Sequence, residues 1–387
     1  MRLLHTSDWH LGRSFHGASL LDAQRTVLAE IIEITATRGV DVVLVSGDIY
    51  DRALPQVDAV NLFNWALGRL RATGATVVVT SGNHDSASRL GFAAELIDAS
   101  GVHIIADLER MQAPVLLDAA DHQVAIYGIP YLEPRMVKDQ LEVEHSSHAA
   151  VVGAAVKLLA ADLEQRRAGS AVPVVSIAMA HLFAAGGLGS DSERELSTGN
   201  LDVVPVELFE PFDYTALGHL HGRQRTAELV RYSGSPLAYS FSEARQAKGV
   251  WLVDTGAQGI TGIEEVLLPV PKALAILSGK REDRLADPAH AWAEDAWCQV
   301  TLTDDERPAD AMNRIRTRFA DTVVLAFAPQ HPATGQEQSY SQRLAAAQST
   351  EEVVDGFISH VRSRSVDEHE SALISQVIAA TREAGER

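Results

Sequence analysis

Cysteine is almost absent: Cys298 stands alone among 387 residues. The chain therefore closes no internal disulfide and builds no thiolate zinc site by itself. No apolar run approaches the roughly 18 residues that cross a bilayer. The opening Met1-Arg2-Leu3-Leu4-His5 has neither the apolar stretch nor the cleavage site of a secretory signal. The expectation is a cytoplasmic protein with no membrane attachment. No G-x-x-x-x-G-K-[ST] phosphate loop occurs, and Gly186-Gly187-Leu188-Gly189 does not open one, so the chain is not expected to bind ATP. Basic residues are also short, with 33 Lys and Arg against 52 Asp and Glu, a formal net charge of −19. Holding nucleic acid by bulk charge needs Lys and Arg to displace counterions. A bound metal pair or a partner subunit would have to supply positive charge locally.

What is present is a regular alternation. Arg2 to Ser7 reads as a strand, and Leu20 to Thr37 as a helix with Val27, Ile31 and Ile34 on one face. The continuous apolar runs Asp41 to Ser46 and Thr76 to Thr80 suit strands covered on both faces. A helix opens at Pro55, with Val60, Phe63, Leu67 and Leu70 at helical spacing, and another is expected over Arg89 to Ala99. This order predicts an α/β sheet with short connections. Further strands are expected at Gln123 to Tyr127, Val174 to Ala178 and Tyr214 to Leu217, with an Ala-rich helix over Ala149 to Arg166. Leu229 to Tyr232 and Val250 to Val253, separated by Gly, Ser and Pro, predict an antiparallel pair.

A smaller β-α-β unit is expected after Pro269: strand Trp297 to Thr303, helix Pro308 to Phe319, strand Val323 to Phe327. Ala328 to Thr350 is polar and aperiodic and reads as a linker. Beyond it, Val354, Phe357, Ile358 and Val361 share one helical face and Leu373, Ile374, Val377 and Ile378 another, around the polar bend Ser363 to Asp367.

The metal-ligand residue types fall where strands end. Asp8 and His10 follow the first strand, Asp48 the second and Asn83-His84-Asp85 the third; His181, then His219 and His221, follow later ones. Parallel strands deliver their following loops to one edge, where ligands of open α/β sheets bind. Each cluster alone reads equally well as an ordinary polar turn; the succession at five strand ends does not. Carboxylate, imidazole and amide oxygen together suit manganese, iron or zinc better than magnesium or calcium. The set exceeds what one ion needs. Two ions about 3.5–4 Å apart, sharing a carboxylate, polarise a phosphoester and bind its attacking and leaving oxygens. Asp48 is the natural bridge. His5 lies inside a strand and reads as a hydrogen-bonded core residue.

These motifs, D-x-H, G-D-x-x-D, G-N-H-[DE], a lone His and G-H-x-H, resemble those of the calcineurin-like metallophosphoesterases. Thr6 to Gly12, Ser46 to Asp51, Gly82 to Asp85, Ala216 to His221 and Tyr232-Ser233-Gly234-Ser235-Pro236 resemble more narrowly the SbcD-type nuclease subunits within that family. The resemblance implies a four-layer α-β-β-α sandwich over 1–268, a small β-α-β capping domain over 269–330, a linker over 331–350 and a helix-loop-helix over 351–387. It assigns Asp8, His10 and His221 to one ion and Asn83, His181 and His219 to the other, Asp48 being shared, with Mn²⁺ the expected metal. It gives His84 a role on the scissile phosphate. Relatives in archaea and eukaryotes carry a histidine where this chain has Asp51, which is expected to orient a ligand or Arg52. The implied activity is hydrolysis of DNA: exonuclease on double-stranded ends, endonuclease on single strands or hairpins, serving replication, recombination and repair. The implied partners are DNA, an SbcC ATPase in a heterotetramer, and a second copy through the nuclease domain, with helices Leu20 to Thr37 and Val57 to Leu70 as contact candidates. Phe357, Ile358, Leu373 and Val377 are expected to face SbcC. A small-molecule or cyclic-nucleotide phosphoesterase is the alternative enzyme reading. A scaffold with a degenerate site is disfavoured by the intact ligand set.

Overall fold

Strand Val42–Ser46 is buried along its whole length, as its unbroken apolar sequence requires. In the computed structural model, which describes residues 1–191, 203–306, 308–329, 349–362 and 366–385, it sits inside a six-stranded sheet. The order is Gly259–Leu267, Gly249–Gly256, Arg2–Thr6, Val42–Ser46, Thr76–Thr80, Val102–Ile105. The last four are parallel, and the Arg2–Thr6 edge is extended antiparallel by Gly249–Gly256. A second six-stranded sheet runs Gln224–Arg225, Val230–Tyr232, Tyr214–Gly218, Val174–His181, Gln123–Gly128, Val115–Asp118.

Alternation along the strands sorts the core into layers. Leu44 and Val78 face the second sheet and pack with Ile126, Ile177 and Leu217. Val43, Val45, Val77 and Val79 face the other way, against Leu28 and Ile31 of helix Leu21–Thr37 and Leu62 and Phe63 of helix Val57–Ala72. Helix His148–Gly169, capped by Ser147, lays Val151, Val152 and Leu159 on the second sheet. The result is a helix-sheet-sheet-helix sandwich, the layering expected from the sequence. Among the described residues no helix is long and apolar enough to cross a membrane.

Two local expectations are corrected. Val230–Tyr232 and Gly249–Gly256 are not an antiparallel pair. The former runs parallel to Tyr214–Gly218 in the second sheet and the latter joins the first. They meet across the sandwich, where Trp251 Nε1 donates to the Tyr232 carbonyl at 3.0 Å. The connection between them is too long for a hairpin and folds instead into the site described below. The helix over Arg89 to Ala99 is two short helices, Ala87–Leu90 and Ala94–Asp98, broken where Gly91 caps the first and Ala93 takes a left-handed φ of 59°.

By backbone packing the chain divides into a larger unit (Met1–Ser278, Glu282–Thr301, Met312–Ala326) and a smaller one (Gly279–Arg281, Leu302–Ala311, Phe327–Arg387). Strands Leu274–Gly279, Trp297–Leu302 and Thr322–Phe327 form a three-stranded sheet. Within the larger unit, Trp297, Val323 and Val324 pack on Phe15, Leu20 and Phe241, with Trp297 stacked on Phe15. Helix Ala311–Arg316 is shorter than the helix expected there. In the smaller unit, helices Thr350–Arg362 and Glu368–Gly385 pack together, with Phe357, Leu373 and Val377 exposed. Most of the expected linker and the bend Ser363 to Ser365 lie outside the described residues.

Candidate metal centre

The ligand-type residues converge at the carboxyl ends of strands from both sheets. Four of them, Asp8, His10, Asp48 and His219, hold positive φ angles of 53°, 43°, 49° and 107°. Such backbone costs about 1–3 kcal/mol per residue and persists where its surroundings impose it. Here Asp8 N donates to the Gly47 carbonyl (3.1 Å) and His10 N to the Asp48 carbonyl (2.9 Å), locking the two loops to each other.

Hydrogen bonds behind the imidazoles fix which nitrogen faces the centre. His181 Nδ1 donates to the Ser46 carbonyl at 3.0 Å, so Nε2 is the ring nitrogen turned to the centre. Nε2 stands against two oxygens, Asn83 Oδ1 at 3.0 Å and Asp48 Oδ2 at 3.2 Å. His221 Nδ1 donates to Glu243 at 3.2 Å, leaving its Nε2 lone pair 3.2 Å from His10 Nε2. His10 Nε2 lies in turn 3.5 Å from Asp48 Oδ2. His219 Nδ1 stands 3.3 Å from Asn83 Oδ1, and its backbone N donates to both Asp8 oxygens. Acceptors facing acceptors repel unless a proton or a cation lies between them, and in this donor set divalent cations fit.

The titration behaviour agrees. Asp8 is pushed up to about 7, chiefly by burial and then by Asp48. Burial would lower His181, but Asp48 and Asp8 outweigh it and hold the ring up to about 9, so a proton on His181 stands in for cation charge. Burial drives His10 down to about 4 and His219 to about 3, which keeps both as neutral donors.

All seven expected metal residues, Asp8, His10, Asp48, Asn83, His181, His219 and His221, are thus brought together. Three groups have ligand atoms mutually within 4.8 Å: Asp8, His10 and His221; Asp8, Asp48 and His181; and His10, Asp48 and His84. His84 is placed by two bonds, its N donating to Asp48 Oδ1 and its Nδ1 to the Asp51 carbonyl, both at 2.9 Å, so Nε2 is the ring atom left for a substrate. Asp51 lies 3.6 Å from His10 Nδ1 and 3.2 Å from Arg13, and more loosely near Arg52 at 3.7 Å. Its carboxylate accepts from Arg13, while His10 Nδ1 is buried without a hydrogen bond among the described residues. Asp85 is structural: its carboxylate accepts from the backbone N of Ile49, Tyr50 and Gly82. His5 is a core residue, bonded to the Tyr214 hydroxyl and the Leu217 carbonyl. A cleft of about 790 Å³ opens over the centre, with Arg13, Arg52, His84 and Tyr239 on its walls.

Residues 1–223 match the family model of calcineurin-like phosphoesterases. That match holds all seven residues brought together above and covers more than half of the chain. The chain belongs to the calcineurin-like phosphoesterase family. Residues 270–362 match a second model, the SbcD C-terminal family, described as the type 5 capsule protein repressor C-terminal domain. The two matches together support the SbcD type within this family, as the sequence resemblance implied. Two solved structures show low similarity to the chain. One, a crystal structure of TT1561 of Thermus thermophilus, is 14% identical, covering 69% of this chain and 98% of that one at a TM-score of 0.39. The other, a crystal structure of a beta-glucosidase from Exiguobacterium marinum, is 10% identical, covering 84% of this chain and 89% of that one at 0.23. At these scores neither bears on the site.

The residues behind the ligands carried no sequence signal. Glu243 and Lys248 are both buried and sit 2.5 Å apart behind His221. Charged side chains are almost never fully buried unless paired, and nothing local marks these two. Tyr239, whose hydroxyl donates to the Trp9 carbonyl, and Gln24, whose amide donates to the His10 carbonyl at 2.7 Å, were equally silent.

Proposed function

We propose that this phosphoesterase is a manganese-dependent DNA nuclease subunit of the SbcD type, acting on double-stranded ends and on single strands or hairpins. The observation that carries the metal reading is the pinned His181 tautomer, whose Nε2 faces only oxygen acceptors. Asp8, His10 and His221 would hold one ion and Asn83, His181 and His219 the other, with Asp48 available to both. When bound, the two ions supply the charge that polarises the phosphodiester and balances its nonbridging oxygens. The protein's own groups orient the substrate and move the proton. Arg13 and Arg52 on the cleft wall attract the DNA backbone that an otherwise acidic surface repels. His84, held through Nδ1 by the Asp51 carbonyl, acts as the imidazolium, whose Nε2 proton goes to the departing 3′ oxygen.

Two surfaces support the assembly reading. Leu54, Val57 and Val60 are exposed beside Phe92 and Leu96, the two segments being tied where Arg89 donates to the Ala53 carbonyl. This apolar patch suits a second copy of the nuclease domain. It lies on helix Val57–Ala72 but not on helix Leu21–Thr37. Phe357, Leu373 and Val377, with half-buried Ile358, suit the SbcC subunit of a heterotetramer.

The deciding assay incubates the purified chain with a labelled DNA hairpin and, separately, a nitrophenyl phosphodiester, in Mn²⁺ or Mg²⁺, with and without SbcC and ATP. Manganese-dependent cutting of the hairpin is expected. His84→Ala should keep the metal yet lose about 10²–10⁴-fold in turnover, whereas Asp48→Ala should lose both metal and turnover. Turnover of the small ester with the hairpin left intact under every condition would overturn the nuclease reading.

A further inference from the structure

The stretch from Ser233 to Lys248 reaches the centre on one side only. Ser233 Oγ lies 2.8 Å from Ser7 Oγ, and Ser7 in turn donates to the Asp8 carboxylate. Tyr239 donates to the Trp9 carbonyl, accepts from the same Gln24 amide that bonds the His10 carbonyl, and sets its ring against those of His10 and His221 at 5.4 and 5.6 Å. Glu243 accepts from His221 Nδ1 at 3.2 Å. Lys248 Nζ donates to Glu243 at 2.5 Å, to the His221 carbonyl at 2.8 Å and to Ser235 Oγ at 2.9 Å. One segment thus supports Asp8, His10 and His221, while among the described residues none of its side chains bonds Asn83, His181 or His219.

The ion pair at the centre of this support is not there for stability. A buried pair of this kind is often no better than apolar side chains of equal volume. The pair lines a small cavity of about 60 Å³ together with Leu237, Ala244, Gln246, Pro269 and Trp297. What apolar residues could not do is accept the His221 Nδ1 proton and so aim the Nε2 lone pair at the centre. A carboxylate behind a ligating imidazole also raises its basicity. Lys248 then balances the charge of Glu243 and grips the His221 backbone, so ring and main chain are held by the same pair.

We infer that Ser233–Lys248 is a positioning segment for one of the two ions, with Glu243 fixing the His221 tautomer and Lys248 holding Glu243 in place. The inference rests on the reading of Asp8, His10 and His221 as the ligands of a single ion. It makes the two metal positions unequal by construction: among the described residues, this segment buttresses one of them and makes no side-chain bond to the residues assigned to the other.

The test is a Mn²⁺ titration of the full chain, by calorimetry and by electron paramagnetic resonance, on the wild type and on folded variants checked by circular dichroism. The wild type should bind two ions. Glu243→Leu should weaken one class of site by about 10–100-fold and leave the other within about twofold. Asn83→Ala, in the opposite ligand set, should weaken the complementary class. Glu243→Leu combined with Lys248→Met leaves no unpaired buried charge and should show the same selective loss, which separates positioning from general destabilisation. Wild-type affinity at both classes in either Glu243 variant, or equal weakening of both, overturns the inference. A wild type that binds no manganese overturns the metal reading itself.

Discussion

His181 is fully buried, with Asp48 at 3.2 Å from one ring nitrogen and Asp8 at 4.0 Å from the other. In the metal-free protein its raised pKa, about 9 against an ordinary 6.5, has a definite consequence for stability. The contribution is fully present below the unfolded value and is lost as pH rises through about 9. A divalent cation needs the same nitrogen without its proton, so proton and metal compete. At pH 7.5 Mn²⁺ uptake should release about one proton from His181, with a further fraction from Asp8, itself pushed up to about 7. Calorimetry in buffers of different ionisation enthalpy measures that release directly, and apparent affinity should climb with pH toward 9. Heats independent of buffer would contradict the exchange. The convergence of the seven expected metal residues was legible from sequence because each cluster falls at the end of a recognisable strand, in turns that favour Asp or Asn. Glu243 and Lys248 were not, because their role exists only once a distant loop has folded behind His221.

At the scale of elements, the centre depends on how closely two strand ends from different sheets approach. Strand Tyr214–Gly218 ends on a glycine whose added Cβ would stand 1.8 Å from the Ser46 carbonyl oxygen and 2.9 Å from His181 Nδ1. That carbonyl is the acceptor that pins the His181 tautomer. Gly218→Ala therefore pushes apart the end of strand Val42–Ser46 and removes the orientation of a ligand in one stroke. It should cost about 1–3 kcal/mol, as overpacking does, seen as a lower Tm in metal-free protein, and manganese affinity should fall with it. Gly153→Ala is the matched control. It lies within helix His148–Gly169, where the new methyl meets only Leu208 carbons at 3.8 and 3.9 Å, and it should stabilise by about 0.5–1 kcal/mol. The strands and their order along the chain were readable from apolar runs. Their assignment to two sheets was not, since a run such as Leu229 to Tyr232 looks the same whichever sheet it joins, and only the buried Trp251 contact across the sandwich separates the cases.

For the whole molecule, the proposed action on DNA would require a chain with a formal charge of −19 to engage a polyanion through a few placed cations and through what it assembles with. The metal centre and the helical tail answer these needs separately. Every ligand residue lies at or before His221, the supporting Glu243 and Lys248 follow soon after, and the three-stranded sheet is complete by Phe327. The exposed apolar residues Phe357, Leu373 and Val377 all lie beyond Thr350. If that face is the seat of SbcC, removing it should separate assembly from chemistry. A chain ending at Thr350 should keep two manganese ions and cut a labelled hairpin at a rate within about twofold of the full chain assayed alone. Co-expressed with SbcC it should no longer co-purify, and any stimulation by SbcC and ATP should vanish. Replacing Phe357 and Leu373 together by Asp should reproduce the loss, because two charges on an apolar face oppose docking without shortening the chain. Retained co-purification of both variants would move the SbcC contact off the tail and onto the nuclease domain, where Leu54, Val57 and Phe92 are among the exposed apolar residues.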